Sequence, residues 1–255
     1  MTKYLGLELS GAKNQKTTLC VLEYFKKEDR VFLLNLIEGI GPDEDISGDE
    51  QLLDCLTPYQ GKGNVLTSNV PTSFPPCAPC TKEKCGSVTD CRNPEAKWMK
   101  AFAKNNHVTP YTMRPVDLWL RRYPFEVDET LGGSRAPLTA RMVYLKNKLK
   151  KFTLLEANPK ISTLKLGESL KISPKVLENI RSLERGPTAR KELLTRLMSK
   201  HQVFIYDGDF KKICQNLTAY DAFICGYTGF LSEQGKCEKR PKTFPKQSAW
   251  VEIPC

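Results

Sequence analysis

The stretch KTTLCVLEYFKKEDRVFLLNLIEGI, residues 16–40, predicts two β-strands joined by a short polar turn at Lys26–Asp29. Its first part, Lys16–Phe25, alternates in polarity and is rich in Thr, Val and aromatic residues, as strands are. A third apolar strand, Lys3–Leu9, precedes it after a short polar link. Three consecutive strands with tight links predict an antiparallel meander.

Downstream of the meander, strands are predicted to alternate with helices. Ser47 followed by Glu50 predicts a capping box, and the leucines after it are spaced as on one face of a short helix. Apolar runs predict strands at Gly63–Val70, Phe152–Ala157 and Trp250–Ile253, and periodic segments predict helices at Pro94–Asn105, Lys160–Leu170, Lys175–Leu183, Thr188–His201 and Thr218–Gln234. This order predicts an α/β protein with a mixed sheet covered by helices, and it is the element order of the RNase H-like fold.

The organisation along the chain favours a single domain over residues 1–255, with a long insertion at about 71–151. No run approaches the roughly 20 apolar residues that span a bilayer. The chain opens with a short strand and a polar loop, unlike a secretory signal, so we expect a cytoplasmic protein with no membrane partner.

Positive charge is unevenly distributed. The chain has a net charge of +10, but residues 1–60 hold 6 Lys and Arg against 11 Asp and Glu, leaving 33 against 18 in residues 61–255. Basic clusters occur at Lys146–Lys151 and Lys236–Lys246. Such a surplus attracts polyanions and indicates nucleic acid as a partner, although a basic tail without a specific partner has the same composition.

Four cysteines fall within the run PPCAPCTKEKCGSVTDC, with the spacing Cys-x2-Cys-x4-Cys-x5-Cys. In a reducing compartment such spacing favours a thiolate metal site, with either zinc or an iron–sulfur cluster, over disulfides. Unligated thiols and disulfides both remain open as alternatives. The predicted ligands are Cys77, Cys80, Cys85 and Cys91.

Three acidic residues stand in apolar surroundings. Glu8 and Glu156 lie within apolar strands, and Asp221 lies in the first part of the apolar helix YDAFICGYTGF. A buried carboxylate is costly without a cation, and three together would suit divalent Mg²⁺ or Mn²⁺, which prefer oxygen ligands. Two such ions can activate water for attack on a phosphodiester. Each acid alone is equally typical of a structural partner for Arg or of a helix cap.

Several segments resemble the bacterial and archaeal family of predicted RNase H-like nucleases known as domain of unknown function 429. These segments are GLELSG, VPTSFPPC with the following cysteines and Trp98-Met99, TPYTMRPVDLW, DETLGGSRAPLTARMVYL, LLEANP and YDAFICGYTGFL, and together they cover most of the chain. The resemblance implies an RNase H-like fold and a nuclease whose acids fall on Glu8, Glu156 and Asp221.

The chain departs from that pattern at two positions. Aspartate is commoner than glutamate at the position of Glu8, and many relatives have an Asp before the Pro of the fourth strand, where this chain has Asn69, Val70 and Pro71. Asn69 offers a neutral carbonyl oxygen instead of a carboxylate, so a site that included it would be less negative.

Arginines of the middle segment are candidate substrate contacts. Arg114, Arg135 and Arg141 are predicted to bind phosphate, since guanidinium groups bind phosphate bidentately, and nearby aromatic residues can stack on unpaired bases. The alternative is that Arg114 and Arg135 form ion pairs with neighbouring acids such as Asp117 and Asp128.

Two functional hypotheses follow from these features. The first is a divalent-metal-dependent nuclease acting on DNA or RNA through the three acids. The second is a nucleic-acid- or protein-binding scaffold on the same fold, with catalysis weakened or lost. His107 and His201 are the only histidines and offer little support for a histidine-based hydrolase, and the sequence indicates no oligomeric state.

Overall fold

The structure, a computed structural model, describes residues 2–83, 85, 91–103, 108–200 and 203–255. The chain forms two compact units. The first unit comprises Met1–Asn69, Lys148–Glu238 and Glu252–Cys255, and the second comprises Val70–Asn147 and Lys239–Val251.

A mixed β-sheet organises the fold. Its strands are β1 (Lys3–Glu8), β2 (Thr17–Phe25), β3 (Arg30–Ile40), β4 (Val65–Ser68), β5 (Thr153–Ala157), β6 (Val203–Phe204) and β7 (Val251–Glu252). Their spatial order is β6-β3-β2-β1-β4-β5-β7. β1 and β3 pair antiparallel with β2, whereas β4 is parallel to both β1 and β5, and β6 is parallel to β3. The predicted α/β class with a mixed sheet and an antiparallel meander is therefore confirmed.

The first helix of the first unit begins at a cap that the sequence supplies. In α1 (Gly48–Leu56), the hydroxyl of Ser47 accepts a hydrogen bond from the Glu50 N–H at 3.3 Å, and the Ser47 N–H donates to the Glu50 carboxylate at 2.9 Å. This is the predicted capping box. A 3₁₀ turn, Thr57–Tyr59, follows it. The other helices are α5 (Pro159–Ser169), α6 (Pro174–Asn179), α7 (Gly186–Lys200), α8 (Asp207–Gln215) and α9 (Leu217–Glu233).

The second unit contains α2 (Pro94–Ala103), α3 (Pro115–Leu120) and α4 (Arg135–Lys146). A small core of Met99, Ala103, Met113 and Leu118 lies between its segments. The unit covers most of the predicted 71–151 insertion and adds residues 239–251 to it.

Three helices were not predicted, namely α3, α4 and α8, and neither was the short strand β6. α4 buries Thr139 and Arg141 together with Met142 and Leu145, so polar residues on its buried face break the apolar periodicity. α3 and β6 span only six and two residues, too few for a periodic signal. Residues 104–105 of the predicted helix Pro94–Asn105 and His201 of the predicted helix Thr188–His201 lie outside the described residues.

No helix among the described residues has both the length and the apolarity needed to cross a bilayer.

Helix α9 packs directly on the centre of the sheet. All residues from Ala219 to Leu231 are buried. A Cβ atom added to Gly6 of β1 would come far inside van der Waals contact with the Ala222 carbonyl and the Gly226 backbone nitrogen. A glycine at position 6 is therefore the condition for the close approach of α9 to β1.

We expect Gly6→Ala to lower the free energy of unfolding by about 3 kcal/mol, because neither neighbouring backbone can move without displacing helix or strand. Gly208→Ala in α8 is the matched control, since open space surrounds that position and alanine favours a helix. Urea unfolding followed by circular dichroism measures both. Equal stability of the two variants would contradict the close packing of α9 on β1.

Candidate functional site

The carboxyl ends of β1 and β4 meet at the same edge of the sheet. Asn69 directly follows β4, and its N–H donates to the Leu7 carbonyl at 3.2 Å. The Asn69 Oδ1 in turn accepts a hydrogen bond from the Leu9 N–H at 3.1 Å. The carbonyl oxygen that the sequence offered as a neutral ligand thus continues the pairing of β1 with β4 beyond the last strand residue.

Glu8, the last residue of β1, lies on the sheet face that α9 covers. Successive side chains of a strand point to opposite faces, so Glu8 shares a face with Gly6, whose backbone contacts α9. Glu8 is half-buried, and its Oε2 atom is shielded from solvent. Its position places its charge close to the amino-terminal part of α9.

Asp221 forms a bidentate ion pair with Arg181. Nη1 and Nη2 of Arg181 donate to Oδ1 and Oδ2 of Asp221 at 2.9 and 2.5 Å. Asp221 is only 3% exposed to solvent, whereas the side chain of Arg181 is 35% exposed. Burial raises the pKa of Asp221 above its usual value, and the hydrogen bonds and charge of Arg181 oppose that rise.

Arg181 also senses the charge of Glu8. Burial by itself would lower the pKa of Arg181, but the hydrogen bonds and charge of Asp221, followed by the charge of Glu8, raise it. The thiol of Cys225 has a pKa well above its usual value, mainly through burial and then through the charges of Glu8 and Asp221. Two of the three predicted acids therefore come together around one guanidinium.

Glu156 lies on the other face of the sheet. In register, Leu7 of β1 pairs with Ser68 of β4, and Ser68 pairs with Glu156 of β5. Residues paired in this way share a face, which is opposite to that of Glu8. Leu155, the residue before Glu156, packs against the core that includes α9. The structure thus brings Glu8 and Asp221 together and leaves the buried Glu156 apart from them.

The carboxylates as arranged do not form a metal site. Within the described ranges, no three His, Cys, Asp or Glu side chains are grouped so that they could hold an ion. Both oxygens of Asp221 are already bound to Arg181. Because Arg181 already compensates the charge of Asp221 and no third carboxylate is grouped with it among the described residues, the carboxylates as arranged do not fit Mg²⁺ or Mn²⁺.

The four predicted cysteine ligands lie in the second unit. Cys77 is held by its N–H, which donates to the Pro110 carbonyl at 3.0 Å, and the Cys80 N–H donates to the Cys77 carbonyl at 3.2 Å. Burial raises the pKa of Cys77, and the charges of Cys91, Cys80 and Cys85 raise it further. None of the four forms a disulfide, and residues 84 and 86–90 between them lie outside the described part of the chain. Zinc or an iron–sulfur cluster at these cysteines stays a prediction from spacing.

The three predicted substrate arginines differ in exposure. Arg114 is buried, and its Nη2 binds the Asp117 Oδ1 at 3.1 Å. Arg141 is also buried, on α4. Arg135 is half-buried, and its Nη1 lies 3.9 Å from the Asp128 Oδ2. The ion pairs that were the alternative to phosphate binding are present for Arg114 and Arg135.

Asp117 organises this part of the second unit. Its carboxylate accepts hydrogen bonds from the guanidinium of Arg114, from the backbone N–H of Arg114 at 2.9 Å, and from the backbone N–H and hydroxyl of Thr130. Because the acceptor is a buried carboxylate satisfied by several donors, the cluster stabilises the start of α3.

Sequence reasoning did not identify Arg181. The burial of Asp221 in an apolar helix signals that a cation must lie nearby, since an unpaired buried carboxylate is costly. Which of the chain's 39 Lys and Arg residues supplies it depends on tertiary contacts over forty positions. His107 and His201 lie outside the described residues.

Comparison with known proteins identified no relatives: no family model matches the chain, and neither the curated proteins nor the solved structures give a significant match.

Replacing Arg181 by Gln leaves the buried Asp221 without its cation. We expect the free energy of unfolding near pH 7 to fall by about 2 kcal/mol, less than for a fully buried pair because Arg181 is partly exposed. The loss should shrink toward about pH 4, because without Arg181 the pKa of the buried Asp221 rises further, and the folded variant then binds a proton at a pH at which the unfolded state does not.

Two comparisons complete this test. Asp221→Asn combined with Arg181→Gln should recover part of the loss, since no buried charge remains. Arg185→Gln, four residues away and exposed, should leave stability unchanged. Equal stability of Arg181→Gln and Arg185→Gln at pH 7 would show that the ion pair does not stabilise the fold.

Proposed function

We propose that this protein binds nucleic acid through its basic second unit, on an RNase H-like fold. The observation that carries the proposal is the division of charge between the two units. The second unit holds 16 Lys and Arg against 7 Asp and Glu, a net charge of +9, whereas the first holds 23 against 22, a net charge of +1. Nearly all of the chain's surplus of +10 thus belongs to 91 of its 255 residues.

The RNase H-like assignment was made from the predicted order of strands and helices. The observed sheet supports it, because an antiparallel meander of β1, β2 and β3 is followed by the parallel strands β4 and β5.

The carboxyl-terminal part of the second unit concentrates the exposed cations. Residues 239–251 contain four basic residues and no acidic residue. Lys239, Lys242 and Lys246 are all exposed there. A polynucleotide releases condensed counterions when such residues neutralise its phosphates, and this release favours binding. The segment therefore contributes to the binding free energy for any nucleic-acid sequence.

We expect the charge reversal Lys239→Glu, Lys242→Glu and Lys246→Glu to weaken binding of a labelled oligonucleotide at least 10-fold, measured by fluorescence anisotropy at low salt. The logarithm of the affinity should fall less steeply with the logarithm of salt concentration than it does for the parent, because fewer phosphates are neutralised.

The control is the triple reversal Lys13→Glu, Lys26→Glu and Lys27→Glu in the first unit, which makes the same change in net charge at exposed positions. An equal loss of affinity in the two triple variants would show that only the net charge matters. No binding by the parent at 50 mM salt would end the proposal.

A divalent-metal-dependent nuclease is the second candidate. One observation favours it, namely the approach of Glu8 and Asp221 to the same guanidinium, since both fall at predicted catalytic positions. Arg181 binds both oxygens of Asp221, which favours the hypothesis of a binding protein without catalysis.

Cleavage of single-stranded, duplex and hybrid substrates in Mg²⁺ or Mn²⁺ tests the nuclease candidate. It predicts that Asp221→Asn lowers the cleavage rate at least 10-fold, because even the loss of a residue that only hydrogen-bonds to a metal ligand typically lowers activity by that factor. Glu156→Gln reports separately on the opposite face of the sheet. Parent-like cleavage by both variants, or no metal-dependent cleavage by the parent, would rule this candidate out.

A further inference from the structure

We propose that a cluster of five aromatic rings in the second unit, the aromatic cluster, binds unpaired bases of single-stranded nucleic acid. The inference rests on the proposed function, since it names the form of nucleic acid that the second unit prefers. The aromatic cluster consists of Trp98, Phe102, Trp119, Phe244 and Trp250.

The five rings form a closed circuit of contacts. Trp98 stacks on Phe102 with centroids 4.7 Å apart and planes at 14°. Phe102 lies 5.6 Å from Trp119, which lies 6.2 Å from Trp250. Edge contacts of 5.1 Å from Trp250 to Phe244 and 4.9 Å from Phe244 to Trp98 complete the circuit. The rings come from α2, α3 and the segment 239–251, so each segment restrains the others.

Two arginines lie over these rings. The Arg122 guanidinium is 4.1 Å from the Trp119 ring and 4.9 Å from that of Tyr123. Arg240 is 5.3 Å from Phe244 and 5.8 Å from Trp250, and it also donates to the carbonyls of Lys246 and Ser248. Arg240 is thereby fixed within the unit, and Arg122, which donates to the Tyr123 hydroxyl at 2.9 Å, is exposed at the surface.

Phe102 is the most exposed ring of the cluster, at 41%. An exposed phenylalanine normally loses side-chain freedom when a ligand orders it. Here the stacked Trp98 already supports the ring, so a base that stacks on Phe102 would order little additional structure. The exposed guanidinium of Arg122 is a second planar group on which a base can stack.

A purely structural role explains the buried members of the cluster but not all of it. Phe244 is buried, as a core ring should be. Phe102 and Arg122 are exposed beside it, in a unit with a net charge of +9. An exposed aromatic ring and an exposed guanidinium in a basic setting suit a chain of phosphates with accessible bases, because a duplex keeps its base faces stacked inside. Single-stranded nucleic acid is therefore the partner whose chemistry matches both features.

The three tryptophans of the chain all belong to the aromatic cluster, so tryptophan fluorescence, excited selectively over the nine tyrosines, reports on it alone. We expect a single-stranded oligonucleotide of about 12 nucleotides, added in EDTA, to quench this fluorescence and to bind more tightly than the matching duplex. Working without divalent metal keeps the measurement independent of any nuclease activity.

Phe102→Ala is the decisive variant. It should weaken single-strand binding about 5- to 100-fold, the loss typical of removing one stacking ring, and affect duplex binding less than 2-fold. Phe125→Ala is its matched control, because Phe125 belongs to the same unit, is 38% exposed and lies outside the cluster. Arg122→Gln and Arg121→Gln form a second matched pair, since Arg121 is exposed but faces Glu129 at 3.5 Å.

Phe102→Leu, which keeps an apolar side chain but removes the ring, should weaken single-strand binding in the same way and covers the case in which the alanine variant does not fold; parent-like single-strand binding by folded Phe102→Leu would overturn the inference. Equal affinity of Phe102→Ala and Phe125→Ala for the single strand, with both folded, would overturn the inference. Equal binding of single strand and duplex would overturn it too and leave the proposed function intact. Absence of binding to any nucleic acid would overturn both this inference and the proposed function. So would displacement of the bound oligonucleotide by polyglutamate as effectively as by unlabelled oligonucleotide.

Discussion

The contact of α9 with β1 is the constraint from which the candidate site follows. Gly6 lets the helix backbone approach the central strand, and Gly229 allows the same approach to Thr67 of β4. A helix packed this closely has no solvated face, so its polar residues are buried with it. Asp221 is one of them, and its carboxylate requires a cation inside the protein. Arg181 supplies that cation from the loop between α6 and α7.

The ion pair between Asp221 and Arg181 bears on whether the site binds a metal. A divalent ion and a guanidinium can each compensate the same buried negative charge. Glu8 adds a second negative charge near Arg181, which stabilises the guanidinium further. The buried charge of Asp221 is therefore compensated by groups of the protein itself. For this reason the binding proposal is drawn from the charge of the second unit and not from these carboxylates.

Much of the fold could be predicted from the sequence, because local signals specify it. The meander is encoded by strand propensity and short polar links, and α1 begins at a capping box that is visible in four residues. The candidate site was harder to predict, because its partners are remote. Alternation along β1 and β5 separates Glu8 from Glu156, but that is apparent only once the register of both strands against β4 is known. Arg181 lies within the predicted helix Lys175–Leu183, just beyond the end of α6, and its local sequence does not mark it as the partner of Asp221.

The arginines illustrate the same limit in the second unit. Proximity in sequence to aromatic residues favoured Arg114, yet its side chain is buried against Asp117. The arginine that does lie over an indole at the surface is Arg122, and the rings around it come from segments more than a hundred positions apart. Residues 239–251 carry Phe244 and Trp250 into the second unit together with four of its positive charges. Aromatic packing and basic charge thus arrive on the same segment. The packing that holds this segment in place therefore also positions the cations that a polynucleotide would meet.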